Sequence, residues 1–303
     1  MMKKTISQCM IVKNEEKNIR RALSWGKDIM CEQIVVDTGS SDRTVEIARE
    51  MGAKIFSFPW INDFAAAKNF AIDQAKGDWI AFLDADESFT PEDAAKIPEI
   101  LEYVGEDVDG LLTGIVDLDE NNNITSGGTM IRFFANRPDL RYVGKIHEHL
   151  VRKGRSGLHL TDVTKQLAFL HTGYQEQEKR DKSKFERNLN IILEILKQEP
   201  ENCDYLGYLG DTYSSDGKNE EARDAYKKAV AAMPEKLGVY DQRSSYTYTN
   251  LLRVSQCLNA PEAEVEAIYK EAVEKLPKEP DFDCVMGDWY WRKGQYRKSS
   301  TDV

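Results

Sequence analysis

The chain has 303 residues and a formal net charge of −11. That excess of acid excludes the basic footprint that nucleic acid or an anionic lipid surface requires. With 41% hydrophobic and 10% aromatic residues it can bury a sizeable core, and its length suits two domains of about 100–200 residues each.

In chain order, Thr5 to Val12 is a strand candidate and Glu15 to Ile29 a helix candidate. Gln33 to Val36 is a short apolar strand ending at Asp37, followed by a turn at Thr38-Gly39-Ser40-Ser41. Asp42 is placed to cap a helix through Met51, which Gly52 stops. Lys54 to Phe58 is a further strand, Phe64 to Lys76 a helix closed by Gly77, and Trp79 to Leu83 a buried strand. Thr90-Pro91-Glu92-Asp93 opens the next helix with a cap, an early Pro and early acids. The βαβαβ rhythm predicts an α/β domain with a mostly parallel sheet, whose ligands gather at the carboxyl ends of the strands. From Asp107 to Leu170 the runs Gly110 to Val116, Thr129 to Phe134 and His159 to Leu170 predict mixed or antiparallel strands. Turns are expected at Asn121 to Asn123, Gly127-Gly128 and Gly154 to Gly157.

After about Gln175 strand patterns vanish. Lys182 to Lys197 is helical, with Phe185, Leu189, Ile192, Leu193 and Leu196 on one face. Counting from Cys203, residues Leu206, Leu209, Gly210, Tyr213, Ala222, Tyr226, Ala229 and Pro234 fall on the positions of a tetratricopeptide repeat, a helix pair of about 34 residues. Tyr269, Ala272 and Pro277 fit a second pair, and Gly287, Tyr290, Gly294 and Tyr296 begin a third whose last helix is incomplete at Val303. The expected organisation is a catalytic domain over residues 1–178 and an all-α repeat domain over 179–303, with a homodimer through the repeats as one way to cover the open end. The five cysteines, Cys9, Cys31, Cys203, Cys257 and Cys284, have no C-x-x-C spacing and read as reduced core residues. Neither a signal peptide nor a membrane span of ~20 apolar residues is visible, so a cytoplasmic protein is expected.

The strongest chemical signal is Asp84-Ala85-Asp86-Glu87 after the apolar run Trp79 to Leu83. On an extended chain Asp84 and Asp86 would share a side, with Ala85 small enough for close approach. Hard oxygen ligands in a polar cleft suit Mn²⁺ or Mg²⁺ shared with a diphosphate. Asp37 ends a strand, where its carboxylate can accept a hydrogen bond from a base or ribose. Lys68, inside an alanine-rich helix, either reaches the diphosphate or snorkels to solvent. His147 and His149 flank Glu148, where an imidazole can orient the carboxylate. His159 reads as structural.

Together, Met10-Ile11-Val12-Lys13-Asn14-Glu15-Glu16, Val36-Asp37-Thr38-Gly39-Ser40-Ser41-Asp42, Asn62-Asp63-Phe64 with Lys68-Asn69, and Asp84-Ala85-Asp86 resemble the family 2 glycosyltransferases of the GT-A fold. Gly144-Lys145-Ile146-His147-Glu148, then His171-Thr172-Gly173-Tyr174 and the repeats, resemble the branch that includes the sublancin-type peptide S-glycosyltransferases. The resemblance implies an inverting enzyme using a UDP-sugar donor and a divalent metal. It assigns the uracil and ribose to the Ile11 to Glu15 segment (Val12, Asn14, Glu15) and to Asp37, and the diphosphate to Lys68. Asp84 and Ala85 would lie near the ribose and metal, Asp86 would be a metal ligand, and His171 would complete the coordination. Glu148, or His147 beside it, would be the catalytic base. The acceptor expected is a peptide or protein side chain. A saccharide or lipid-linked glycan is the alternative, and an inactive scaffold a second one.

Overall fold

The computed structural model describes residues 3–172, 182–238 and 241–295. The chain divides into two compact units, Met1–Glu178 and Lys179–Val303.

In the first unit β1 (Ile6–Val12), α1 (Ile19–Ser24), β2 (Glu32–Asp37), α2 (Thr44–Glu50), β3 (Lys54–Ser57), α3 (Phe64–Asp73) and β4 (Trp79–Phe82) alternate. Their four strands are parallel, in the order β3-β2-β1-β4. β1 and β4 are buried almost throughout, as expected of strands covered on both faces. Then come β5 (Glu87–Phe89), α4 (Pro91–Tyr103), β6 (Gly110–Leu118), β7 (Ile124–Ala135), β8 (Leu140–Val143), β9 (His149–Arg152), β10 (Leu160–Asp162) and β11 (Ala168–His171). The sheet continues from β4 through β7, β6, β11 and β5, with β10 on β6, making nine strands; β8 and β9 form a separate antiparallel pair. β7 runs against both β4 and β6. The mixed, GT-A-like sheet expected from the sequence is therefore present, and a helical region follows it.

Several local expectations are corrected. α1 spans six residues rather than Glu15 to Ile29, because Gly26, a poor helix former, turns the chain back into Ile29 and Met30. α2 begins at Thr44; the Asp42 carboxylate accepts from the Thr44 N–H (3.0 Å) and the Glu16 N–H (3.1 Å) just ahead of it. Gly127 and Gly128 make no turn. They lie within β7, paired with Val116 and Ile115. The run His159 to Leu170 is split into β10 and β11, because the Asp162 carboxylate closes a turn on the Thr164 N–H at 2.9 Å. Of the cysteines only Cys9 is buried; Cys31, Cys257 and Cys284 are exposed. Two of those sit on helices whose buried faces are filled by larger residues such as Tyr248, Leu252, Phe282 and Trp289.

Gly77 is demanded by packing. A Cβ there would stand 2.6 Å from the Ser7 backbone nitrogen. Beneath it Glu32 gathers the start of the sheet, accepting from Ser7 Oγ (2.7 Å), the Lys76 N–H (2.6 Å) and Lys54 Nζ (2.6 Å).

The second unit contains α5 (Lys182–Gln198), α6 (Cys203–Ser215), α7 (Asn219–Ala232), α8 (Gln242–Cys257), α9 (Glu262–Lys275) and α10 (Asp281–Arg292) among its described residues. At Gly210 any side chain would collide with the Tyr226 ring. The Tyr226 hydroxyl, on the far side, donates to Asp211 at 2.8 Å. Tyr248, Leu252, Val265, Phe282 and Trp289 continue the core across the later helices. Gly173, Tyr174 and Tyr296 lie outside the described residues, as does the boundary expected between residues 178 and 179.

Candidate active site

β1 and β4 lie side by side at the point where the strand order reverses, and ligands of open α/β sheets bind beyond the carboxyl ends at such a point. Val12 and Asp37 end their strands in register. The Val12 carbonyl accepts from the Thr38 N–H (2.9 Å) and hydroxyl (3.0 Å). Asn14 adopts a left-handed conformation (φ 57°), which asparagine tolerates. Its N–H donates to Ser40 Oγ at 2.9 Å and its Oδ1 accepts from the Ser41 N–H at 2.8 Å. The Glu15 N–H donates to Thr44 Oγ1 at 2.6 Å. Asp37 accepts from the amides of Gly39 (3.3 Å) and Ser40 (3.0 Å). A carboxylate has about four lone-pair positions, so these bonds set its orientation and leave acceptor capacity. The two loops, Asn14–Glu16 and Thr38–Thr44, are thus laced into one rim.

Beyond β4 the chain is not extended. The Asp84 N–H donates to Glu87 Oε2 (3.0 Å) and the Glu87 N–H to the Asp84 carbonyl (3.1 Å), closing a turn over Ala85 and Asp86. The two aspartates make different contacts. Ala85 is buried in the cluster that also holds Met10, Val12 and Ile19. Asp84 Oδ2 meets Arg132 at 3.1 Å, and Arg132 also binds Glu87. Asp86 Oδ2 lies 3.3 Å from His171 Nε2.

Arg132 has no part in the sequence reading, and Glu87 enters it only as the residue after Asp86, although an arginine inside the apolar run Met130 to Phe134 is a visible signal. Leu112 pairs with Ile131 and Leu111 with Phe133, so Arg132 is the extra residue of a β-bulge, a device that re-aims a side chain. Two acids face one guanidinium. Burial first, and the Asp84 charge after it, push Glu87 up to about 7 against the pull of Arg132. Burial also works against the charge of Asp84, but Lys68, Arg132 and His171 outweigh it and hold that carboxyl below its usual range.

Lys68 does not snorkel to solvent. Its side chain is 7% exposed, and Nζ binds Glu148 Oε1 at 2.7 Å over the rings of Phe82 and Tyr142. Burial opposes its charge, yet Asp84, Tyr142 and Glu148 raise its pKa above the ordinary lysine value. The partner of Glu148 is thus an ammonium from α3, 80 residues away in sequence. α3 makes this possible. The Asp63 carboxylate caps its first turn (2.8 Å to the Ala66 N–H), and the Phe64 N–H donates to the Lys145 carbonyl at 2.8 Å. Asn69 pairs with the Tyr142 backbone through two 2.9 Å bonds. His147 is left-handed (φ 55°) and exposed, and His149 starts β9, also exposed.

His171 ends β11. Thr172 donates its N–H and its hydroxyl to the Asp86 carbonyl, both at 3.0 Å, which holds the strand end beside the turn. His171 Nδ1 faces Asp117 Oδ1 at 2.8 Å. The bond to Asp86, aided by Asp117, raises His171 to about 9 against the effect of burial. His159 pairs with Asp107 at the surface at 3.0 Å.

Among the described residues no group of three or more His, Cys, Asp or Glu is arranged to hold a metal ion. The Asp86–His171 pair offers two donors, a carboxylate oxygen and an imidazole nitrogen. That set fits Mn²⁺ or Mg²⁺ completed by phosphate oxygens and water, which is how a nucleotide-bound cation is commonly held. Imidazole ligands usually give their other ring nitrogen to a carboxylate, the place Asp117 takes.

Residues 7–154 match the family described as Glycosyl transferase family 2. The chain is 33% identical over 231 residues to the SPbeta prophage-derived glycosyltransferase SunS of Bacillus subtilis (strain 168), covering 75% of this chain and 53% of that protein. It therefore spans about half the length of that relative. It is 30% identical over 299 residues to the TPR repeat-containing protein Synpcc7942_0270 of Synechococcus elongatus, covering 96% of this chain and 71% of that one. Among solved structures, S. aureus TarS aligns over 88% of this chain and 54% of its own, with 14% identity and a TM-score of 0.46. No helix among the described residues is long and apolar enough to cross a membrane. The family match over the sheet-bearing unit, and a relative aligned along nearly the whole chain, place this protein among the family 2 glycosyltransferases.

Proposed function

We propose that the chain transfers a hexose or N-acetylhexosamine from a UDP-sugar, with inversion and with Mn²⁺ or Mg²⁺, to a side chain of a peptide or protein. The observation that carries the reading is the meeting of Asp86 and His171 beyond β4, with the Lys68–Glu148 pair built into the same unit. The resemblance of Gly144 to Glu148 and of His171 to Tyr174 to the sublancin-type branch supports the acceptor class.

In this reading Asp86 and His171 hold the cation. A bound cation would neutralise the negative charge that grows on the departing diphosphate. Val12, Asn14, Glu15 and Asp37 form the uracil and ribose rim, whose loops are already fastened to each other. Asp84 and Ala85 complete its floor. Inversion needs one base on the acceptor side, opposite the leaving group. Glu148 takes that proton, with His147 next to it as the second choice. The Lys68 ammonium holds the Glu148 carboxylate in place. The helical unit would present the acceptor, because stacked helix pairs offer extended concave surfaces. A cytoplasmic location and a homodimer through that unit belong to the same reading.

A thermal-shift screen of UDP-sugars with and without Mn²⁺ tests it, since a ligand of the folded state raises apparent stability. A metal-dependent upward shift is expected for the wild type and its loss in Asp86→Ala. Transfer that survives intact in Asp86→Ala would remove the mechanism. Parallel assays on peptide and saccharide acceptors separate the two acceptor classes.

A further inference from the structure

Four strands of the sheet carry one polar row. Ser126 on β7 pairs in register with Asp117 on β6, Asp117 with His171 on β11, and His171 with Glu87 on β5. Partners in register project to the same face of a sheet, so these side chains stand beside one another. Their contacts follow that order. The Ser126 hydroxyl donates to Asp117 Oδ2, and Asp117 Oδ1 meets His171 Nδ1 at 2.8 Å. His171 then turns Nε2 toward Asp86, 3.3 Å away. Asp117 and Ser126 both lie on the long β6–β7 hairpin, Asp117 near the carboxyl end of β6, which runs parallel to β11.

We infer that Asp117 is a positioning residue for His171, and that Ser126 in turn fixes Asp117. A carboxylate accepting from Nδ1 selects the imidazole tautomer whose Nε2 carries the lone pair, and it fixes the plane of the ring. Without Asp117 the ring can rotate about its side-chain bonds and can place its proton on Nε2, where it would oppose a cation. Ser126 occupies the second carboxylate oxygen, so Asp117 has one oxygen left for the imidazole. The row exists because β6 pairs with β7 on one side and β11 on the other. A hairpin with no ligand of its own thereby governs one.

This inference rests on the proposed metal role of Asp86 and His171, and the experiment separates the two. Mn²⁺ binding to the full chain in the presence of UDP is measured by electron paramagnetic resonance of the unbound ion. The proteins compared are wild type, Asp86→Ala, His171→Ala, Asp117→Ala, Asp117→Asn and Ser126→Ala, with circular dichroism as the folding control. Asp117→Ala is expected to weaken Mn²⁺ by ~10–100-fold, the usual effect of removing such an outer partner. Asp117→Asn keeps an oxygen acceptor without the charge and should recover part of that loss, while Ser126→Ala should lose less than Asp117→Ala. If Asp117→Ala fails to fold, Asp117→Asn decides, since it must still bind more weakly than wild type. Wild-type binding in the Asp117 variants, alongside lost binding in Asp86→Ala and His171→Ala, overturns the positioning role alone. A loss as complete as that of His171→Ala, with no recovery in Asp117→Asn, makes Asp117 a ligand and also overturns it. Undiminished binding in Asp86→Ala and His171→Ala overturns the metal reading, and this one with it.

Discussion

Lys68 shows how one side chain changes meaning once its neighbours are known. An ammonium 2.7 Å from Glu148 and over two aromatic rings has little freedom to reach a diphosphate. Its main effect should fall on the acceptor side. Glu148→Gln should lower kcat by ~10²–10⁴-fold, the range a general base contributes, with donor affinity unchanged. Lys68→Met should likewise lower kcat more than it raises the donor Kd. A large rise in donor Kd with kcat intact would return Lys68 to the diphosphate. Glu32 offers a stability test away from this site. Burial raises its pKa, but the bonds from Lys54, Ser7 and the Lys76 amide outweigh that and leave it below the usual glutamate value. A carboxyl depressed on folding stabilises the native state above its unfolded pKa of ~4.3, and that contribution is lost as pH falls through the lower folded value. Glu32→Gln should therefore cost about 1–2 kcal/mol at pH 7. The gap from wild type in urea midpoints should narrow below about pH 4. A gap of constant size would show that the charge of Glu32 does not matter.

At the scale of elements, close approach and register do the positioning. β4 can lie along β1 only because Gly77 leaves room for the Ser7 nitrogen. Gly77→Ala should destabilise the first unit by about 1–3 kcal/mol, the usual cost of overpacking. Because β4 carries the chain directly into the Asp84–Glu87 turn, the same variant should also weaken binding of UDP with Mn²⁺. Unchanged unfolding in urea would refute this account of the junction. α3 works by a different means. It is tied to the segment before β9 by the Phe64–Lys145 bond and to β8 by Asn69, so a helix carrying Lys68 and a strand pair leading to Glu148 move as one body. The Asn62-Asp63-Phe64 and Lys68-Asn69 signature is thus largely a clamp: cap, backbone tie, ammonium and side-chain amide each hold a separate point.

For the whole molecule, the rim, the turn and the two charge pairs all belong to residues 1–178, and the helical unit has its own core. Residues 1–178 expressed alone should keep metal-dependent hydrolysis of the UDP-sugar and lose transfer to a peptide acceptor. Circular dichroism and a cooperative melt must first show that the fragment is folded. Peptide transfer at the full-length rate would deny the helical unit any part in holding the acceptor.

The primary structure by itself determined the alternation of strands and helices, the helical second half and the order of the chemical segments. Each is written locally, as a period, a cap or a short motif, and local patterns survive without knowledge of the fold. It also supplied Asp84, Asp86, Glu148 and His171 as residue types suited to hard-metal and acid–base chemistry. Their partners were decided only by tertiary structure. The pairing of Lys68 with Glu148 spans 80 residues, Arg132 is aimed by a bulge, and Asp117 meets His171 through a strand register set by packing across the sheet. Asp84 meets Arg132 and Asp86 meets His171 on a turn that Glu87 closes on the Asp84 amide, which no alternation rule for an extended chain contains. Register and bulges follow from the sum of many nonlocal contacts, so they emerge only when the whole sheet has closed.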